Sequence, residues 1–175
     1  YAAELGAERF DLEKALKVGL LPMVWEAKDS IERISNYAGV CLREEVIAEG
    51  LVRQVGDFAR FLETLSFSHG NLLNVTNLAR EAQVKRTTVN NYLQILEDLL
   101  LAFQLPIFTR RAKRSLTSHP KFYYFDVGVF RSLRPRGLLD RTDEVEGAAL
   151  EGLVAQHLRS WALAQREPYQ FCFCR

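Results

Sequence analysis

The 175-residue chain has no run of about 18 apolar residues, so no segment is long and apolar enough to cross a bilayer as a helix. Its first residues lack the basic-then-apolar pattern of a secretory leader. Cysteine is scarce: Cys41, Cys172 and Cys174 are odd in number and build no disulfide framework, which fits a cytoplasmic origin. Cys172 and Cys174 stand at i and i+2, on one face of an expected strand and opposite Phe171 and Phe173. None of His69, His119 or His157 lies at a zinc spacing, so these cysteines read as small core or surface residues and no metal is expected. The phosphate-cradling G-x-x-x-x-G-K-[ST] loop is missing, which excludes nucleotide hydrolysis by these residues. Gly-x-Ser-x-Gly, His-Glu-x-x-His and Cys/His pairings are missing too, so no catalytic residue is assigned.

Apolar residues at 48% and charged residues at 26% describe an ordinary globular protein with enough chain for a substantial core in one or two domains. Residues 72–125 organise it. They read as a short helix, a tight turn, a longer helix, a strand, a basic loop and a second strand, the element order of a winged helix-turn-helix. Thr76 is the expected cap of the first helix, which carries Leu78, Ala79 and Ala82 on one face, and Val84 plugs the turn. From Thr87 onward Val89, Leu93, Leu96 and Leu100 step by four, three and four, with Tyr92 and Leu99 widening the stripe. The other face carries Thr88, Asn90, Asn91 and Gln94. With Arg86 and Thr87 at the helix start, these are the positions that reach base edges in a DNA-reading helix, or else a merely wet face.

Charge points the same way. Residues 102–125 hold five basic and no acidic residues, in a chain whose net charge is only +1. Phe103, Leu105 and Ile107 alternate as a strand that Pro106 restricts to an edge or bulge, and KFYYF is the second strand. Between them Arg110, Arg111, Lys113 and Arg114 make a candidate phosphate clamp, against the plain alternative of a solvated loop.

The flanks are less periodic. Residues 1–35 are read as a helix-like run closed by Pro22, then a connector with a short helical turn, packed on a neighbouring domain or on the next segment. Tyr37, Val40, Cys41, Ile47 and Leu51 form one helical stripe, and Val55, Phe58, Phe61, Leu62 and Leu65 a second with Asp57 as its cap, giving an antiparallel pair that ends at the turn residues Ser68, His69, Gly70 and Asn71. Glu44, Glu45 and Glu49 read as surface carboxylates. Asp126 reads as a helix cap, with an acidic active-site residue as the alternative, and Gly128 as a point of close packing. Arg131, Arg134, Arg136 and Arg141 form a second basic cluster. Residues 144–166 read as a long amphipathic helix with Val145, Ala148, Ala149 and Leu153 inward, and YQFCFC as a strand with no partner left in the chain.

Several strings together resemble the C-terminal half of a widespread prokaryotic group of predicted AAA+ ATPases: ALKVGLLP, LVRQVGDFARFLETL, LNVTNLAREAQVKRTTVNNYLQILEDLLL, PKFYYFDVGVFRSL and GAALEGLV. The C-terminal region of that group is a domain of unknown function. The resemblance implies an ATPase core first, then a helical and winged-helix region, then a fold similar to restriction endonucleases. ALKVGLLP would then be the tail of the ATPase module and Glu151 the acidic residue of the first endonuclease-like helix. Arg175 would end that domain's first strand, with the remaining acidic residue and a carboxylate-x-Lys motif beyond it. ATP and Mg are implied for the longer protein only. The turn departs from the family pattern, with Gln83 and Lys85 where Gly and Ser are usual, which weakens its glycine geometry and leaves Thr87 as substitute cap.

The expected fold is therefore mainly α with a small β component. Residues 1–35 form an ATPase tail or connector, residues 36–135 a helical pair with the winged helix-turn-helix, and residues 136–175 the truncated start of an α/β endonuclease-like domain. The expected function is non-catalytic binding of duplex DNA. An interaction scaffold, packing on the ATPase module of the same chain or on a second copy, is the alternative. A nuclease fragment is the third reading.

Overall fold

Capping chemistry and apolar spacing set the first three helices. The computed structural model describes residues 10–41, 44, 46–47, 52, 54–108, 119–138, 140–165 and 171–174. Helix α1 (Leu12–Val18) starts where the Asp11 carboxylate accepts the Lys14 N–H, and it stops at Gly19, whose φ of +78° suits a residue without a Cβ. Helix α2 (Pro22–Trp25) carries its proline in the first turn, where no N–H is needed, and α3 (Ser30–Asn36) is capped by Asp29. The expected connector with one helical turn is thus two helices. Ala15, Val18, Val24 and Ile34 of this segment are buried in the main core, so it packs on the residues that follow it.

A π-helical turn (Tyr37–Cys41) comes next. The expected stripe is corrected: Ala38 and Val46 are buried, while Val40 and Ile47 are exposed, and Leu51 lies outside the described residues. Helix α4 (Val55–Ser66) buries Phe58, Phe61, Leu62 and Leu65 as the periodicity predicts. Gln54, not Asp57, precedes its first turn, and Asp57 pairs instead with Arg60 at 2.6 Å.

Helices α5 (Val75–Glu81) and α6 (Arg86–Asp98) are joined by a tight turn, and strands β1 (Ala102–Leu105) and β2 (Lys121–Tyr124) follow as an antiparallel pair with Ala102 opposite Tyr124 and Leu105 opposite Lys121. Both faces of this ribbon are covered. Ala102, Phe122 and Tyr124 enter the main core, whereas Phe103, Leu105 and Tyr123 form a second cluster with Ala155, Phe171 and Phe173. Alternation along each strand sends successive side chains to opposite sides, so two cores share one hairpin.

Two stretches, one read as a turn and one as an unpartnered strand, are paired in space. The expected turn at residues 68–71 lies along β2, where Gly70 N–H donates to Phe122 O (2.8 Å) and Phe122 N–H to Asn71 O (3.1 Å). Phe173 bridges Ile107 in parallel, with Phe108 N–H donating to Phe173 O and Phe173 N–H to Pro106 O, so the final expected strand does have a partner. Helix α7 (Val127–Leu133) packs across α1, and α8 (Thr142–Leu163) closes the second core. The whole is mainly helical with a small antiparallel sheet.

Candidate nucleic-acid interface

The turn between α5 and α6 determines how α6 is presented. Asn74, rather than Thr76, caps α5 by accepting the Asn77 N–H at 3.0 Å. At its other end Val84 N–H donates to Ala79 O and Gln83 N–H to Arg80 O, the paired bonds that close a helix when the residue after the cap turns left-handed. That residue is Gln83, at φ +57°. The glycine expected from the family pattern is absent, yet the glycine conformation is kept. Arg60 reaches over from α4 and donates from Nε to Ala82 O at 2.9 Å, satisfying a further carbonyl of the turn. Lys85 precedes α6 without a side-chain cap, and Thr87 lies inside the helix, so the proposed substitute cap is corrected.

Helix α6 is anchored by its inner face. Val89, Tyr92, Leu93 and Leu96 are buried, and the Tyr92 ring sits 5.1 Å from both Phe58 and Phe61. Leu100, counted on sequence within this stripe, is 67% exposed at φ +60°. It is the left-handed residue that ends α6: Leu101 N–H donates to Leu96 O and Leu100 N–H to Glu97 O, repeating the closure seen after α5.

Of the candidate contact residues, Arg86, Thr87, Asn90, Asn91 and Gln94 are exposed along one stripe of α6, and Thr88 is half-buried at its margin. Gln94 donates to Asp98 at 2.8 Å, which holds its amide against the helix. Arg110, Arg111, Lys113 and Arg114 lie outside the described residues. Lys121, counted among the positive charges of the hairpin, is paired with Glu151 at 2.6 Å.

Glu151 is a junction between α8 and β2, receiving both Lys121 Nζ and, at 2.7 Å, the Tyr123 hydroxyl. Burial alone would raise its carboxyl, but the two hydrogen bonds outweigh that and hold it below the usual range. Burial and the same bond push the Tyr123 phenol up. Among the described residues no three His, Cys, Asp or Glu side chains converge as a metal site.

Asp126 is 1% exposed and both oxygens of its carboxylate bond to backbone: Oδ1 accepts from Gly128 N (2.8 Å) and Val129 N (3.2 Å), and Oδ2 from Leu20 N (2.7 Å). It caps α7 and ties the end of α1 to it, a structural role in a buried position. His69 was missed as a core residue. Its ring stacks on Phe130 at 4.0 Å, and Nδ1 accepts the Tyr124 N–H. Burial lowers its pKa to about 3. Nothing local distinguishes it, since Ser-His-Gly-Asn has the composition of an exposed turn.

No helix among the described residues is long and apolar enough to cross a membrane. Residues 9–141 match the family described as a domain of unknown function, DUF8612, and the chain belongs to that family. It is also similar to uncharacterized proteins of Mycobacterium bovis and Mycobacterium tuberculosis, each 32% identical over 147 residues, covering 80% of this chain and 33% of the relative. The chain thus spans about a third of the length of these curated relatives. No solved structure matches.

Proposed function

We propose that this chain is a non-catalytic winged-helix module that binds duplex DNA, with α6 in the major groove and the residues between β1 and β2 as the wing. The observation that supports it is the division of α6. Its inner face is locked by Tyr92 and three aliphatic side chains, and its outer stripe runs Arg86, Thr87, Asn90, Asn91 and Gln94, with Glu97 and Asp98 making only the last turn acidic. Such amide and guanidinium groups match the donor and acceptor pattern of base edges. Lys85 and Arg86 at the start of the helix, and the four basic residues of the wing, suit backbone phosphates.

The expected behaviour is roughly micromolar affinity for duplex DNA that falls steeply with salt. Fluorescence anisotropy on a labelled duplex at low and high salt checks it. Asn91→Ala with Gln94→Ala should weaken binding to a preferred sequence, and reversing Arg110, Arg111, Lys113 and Arg114 should weaken all duplexes. Binding indifferent to salt, or surviving the four reversals, rejects the reading.

In this proposal the longer protein carries an AAA+ ATPase module that supplies ATP and Mg chemistry, and α8 with the segment at Phe173 begins an endonuclease-like fold. A second reading, an interaction scaffold for that module or for another copy of the chain, is favoured by the exposed apolar ridge Leu150, Val154 and Leu158 on α8. Concentration-dependent sedimentation abolished by Val154→Glu with Leu158→Glu, and no DNA shift at low salt, would select it.

A further inference from the structure

Four arginines unused by the DNA-binding surface line adjoining cavities between α7, the loop after it and the start of α8. One, of about 230 Å³, is lined by Arg131, Arg134, Arg136 and Arg141 with Asp140 and Thr142; its neighbour, of about 260 Å³, shares Arg131, Arg134 and Arg136 and adds Lys17. We propose that these basins bind a phosphoryl oxyanion, with room for a diphosphate.

Charge balance argues for this. Among the described residues no carboxylate lies within 4 Å of Arg131, Arg134 or Arg136, and Arg141 has only Asp143, at 3.8 Å with both side chains largely exposed. Asp140, the one carboxylate on the wall of the first basin, is engaged by the Gly137 N–H at 2.7 Å. In the second basin Lys17 is paired with Glu13.

Arg134 is also held in place. The Arg134 guanidinium lies 3.9 Å over the Phe67 ring. Burial and the neighbouring Arg136 both push the Arg131 guanidinium down, with Glu146 opposing, so these like charges already repel. Mutually repelling guanidiniums around a concavity suit an oxyanion, because each N–H pair matches two phosphate oxygens.

The test titrates metal-free pyrophosphate into the whole chain by calorimetry at low ionic strength. Arg136 and Arg141 are exposed, so Arg136→Glu with Arg141→Glu should leave the fold intact, as circular dichroism would verify. The double variant should lose affinity by about tenfold or more, while Lys28→Glu, outside the basins, should not. Wild-type protein that takes up no pyrophosphate at millimolar concentration, or equal losses in the Lys28 and arginine variants, would overturn the assignment.

A short duplex distinguishes the source of the phosphoryl group. If the pocket holds nucleic-acid backbone, pyrophosphate should compete with the duplex and the double variant should weaken duplex binding. If it holds a free phosphorylated molecule, the double variant should lose pyrophosphate alone. Asn91→Ala with Gln94→Ala should leave pyrophosphate uptake unchanged in either case, so this pocket and the α6 reading fail independently.

Discussion

Gln83 and Leu100 both occupy the left-handed region, at φ +57° and +60°, and both sit one residue past the C-cap of a helix whose closing carbonyls they help to satisfy. A side chain there crowds the following carbonyl, a cost of about 1–2 kcal/mol that glycine avoids but partly offsets through its looser unfolded chain. Gln83→Gly is therefore expected to stabilise the protein by about 0.5–1 kcal/mol in urea unfolding, an effect absent for Gln→Gly at a right-handed site. His69 provides the pH dependence. The folded protein keeps the imidazole neutral down to about pH 3, whereas the unfolded chain takes up a proton near its ordinary value. Protons therefore favour the unfolded state across that window, and stability should fall as pH drops from about 6.5 toward 3, at up to about 1.4 kcal/mol per pH unit. His69→Asn retains an acceptor for the Tyr124 N–H and removes the titration. Denaturation midpoints measured across the window should then be flatter, and an unchanged slope would assign the effect elsewhere.

At the scale of elements, α8 approaches the buried His69 ring as closely as glycine permits. A Cβ on Gly152 would lie 2.2 Å from His69 Nε2, so Gly152→Ala must displace a buried ring that is stacked on Phe130. The expected cost is about 3 kcal/mol or more, read as a drop in melting temperature. The elements themselves were unequally legible. Helix α6 could be read from Val89, Leu93 and Leu96, because a core-facing stripe writes its own period into the chain. The hairpin was legible from KFYYF, and the cap of α7 from Asp126 before a glycine. Pairing of residues 69–73 with β2, and of Phe173 with Ile107, joins segments distant in sequence and leaves no local period. The π-helical turn at Tyr37 was not legible either, since a single widened turn has no compositional mark. The outward stripe of α6 was legible as a candidate site; the role of Lys121 was not, because its partner Glu151 lies thirty residues away.

Over the whole molecule, a tight seam joins the first helix to α7. A Cβ on Gly128 would lie 2.2 Å from the Val18 carbonyl oxygen, and the Asp126 carboxylate spans the same seam to Leu20. Gly128→Ala must push these backbones apart, and about 3 kcal/mol or more of destabilisation is expected. Hydrogen exchange should then quicken first in α1, since that helix loses its closest neighbour. The segment at Phe173 has a different consequence. An open strand edge offers free N–H and C=O groups to any extended chain it meets. Here the backbone at Pro106 and Phe108 already bonds to Phe173. A protein whose hairpin is sealed in this way is shielded at that point from strand-swapped association and fibril growth.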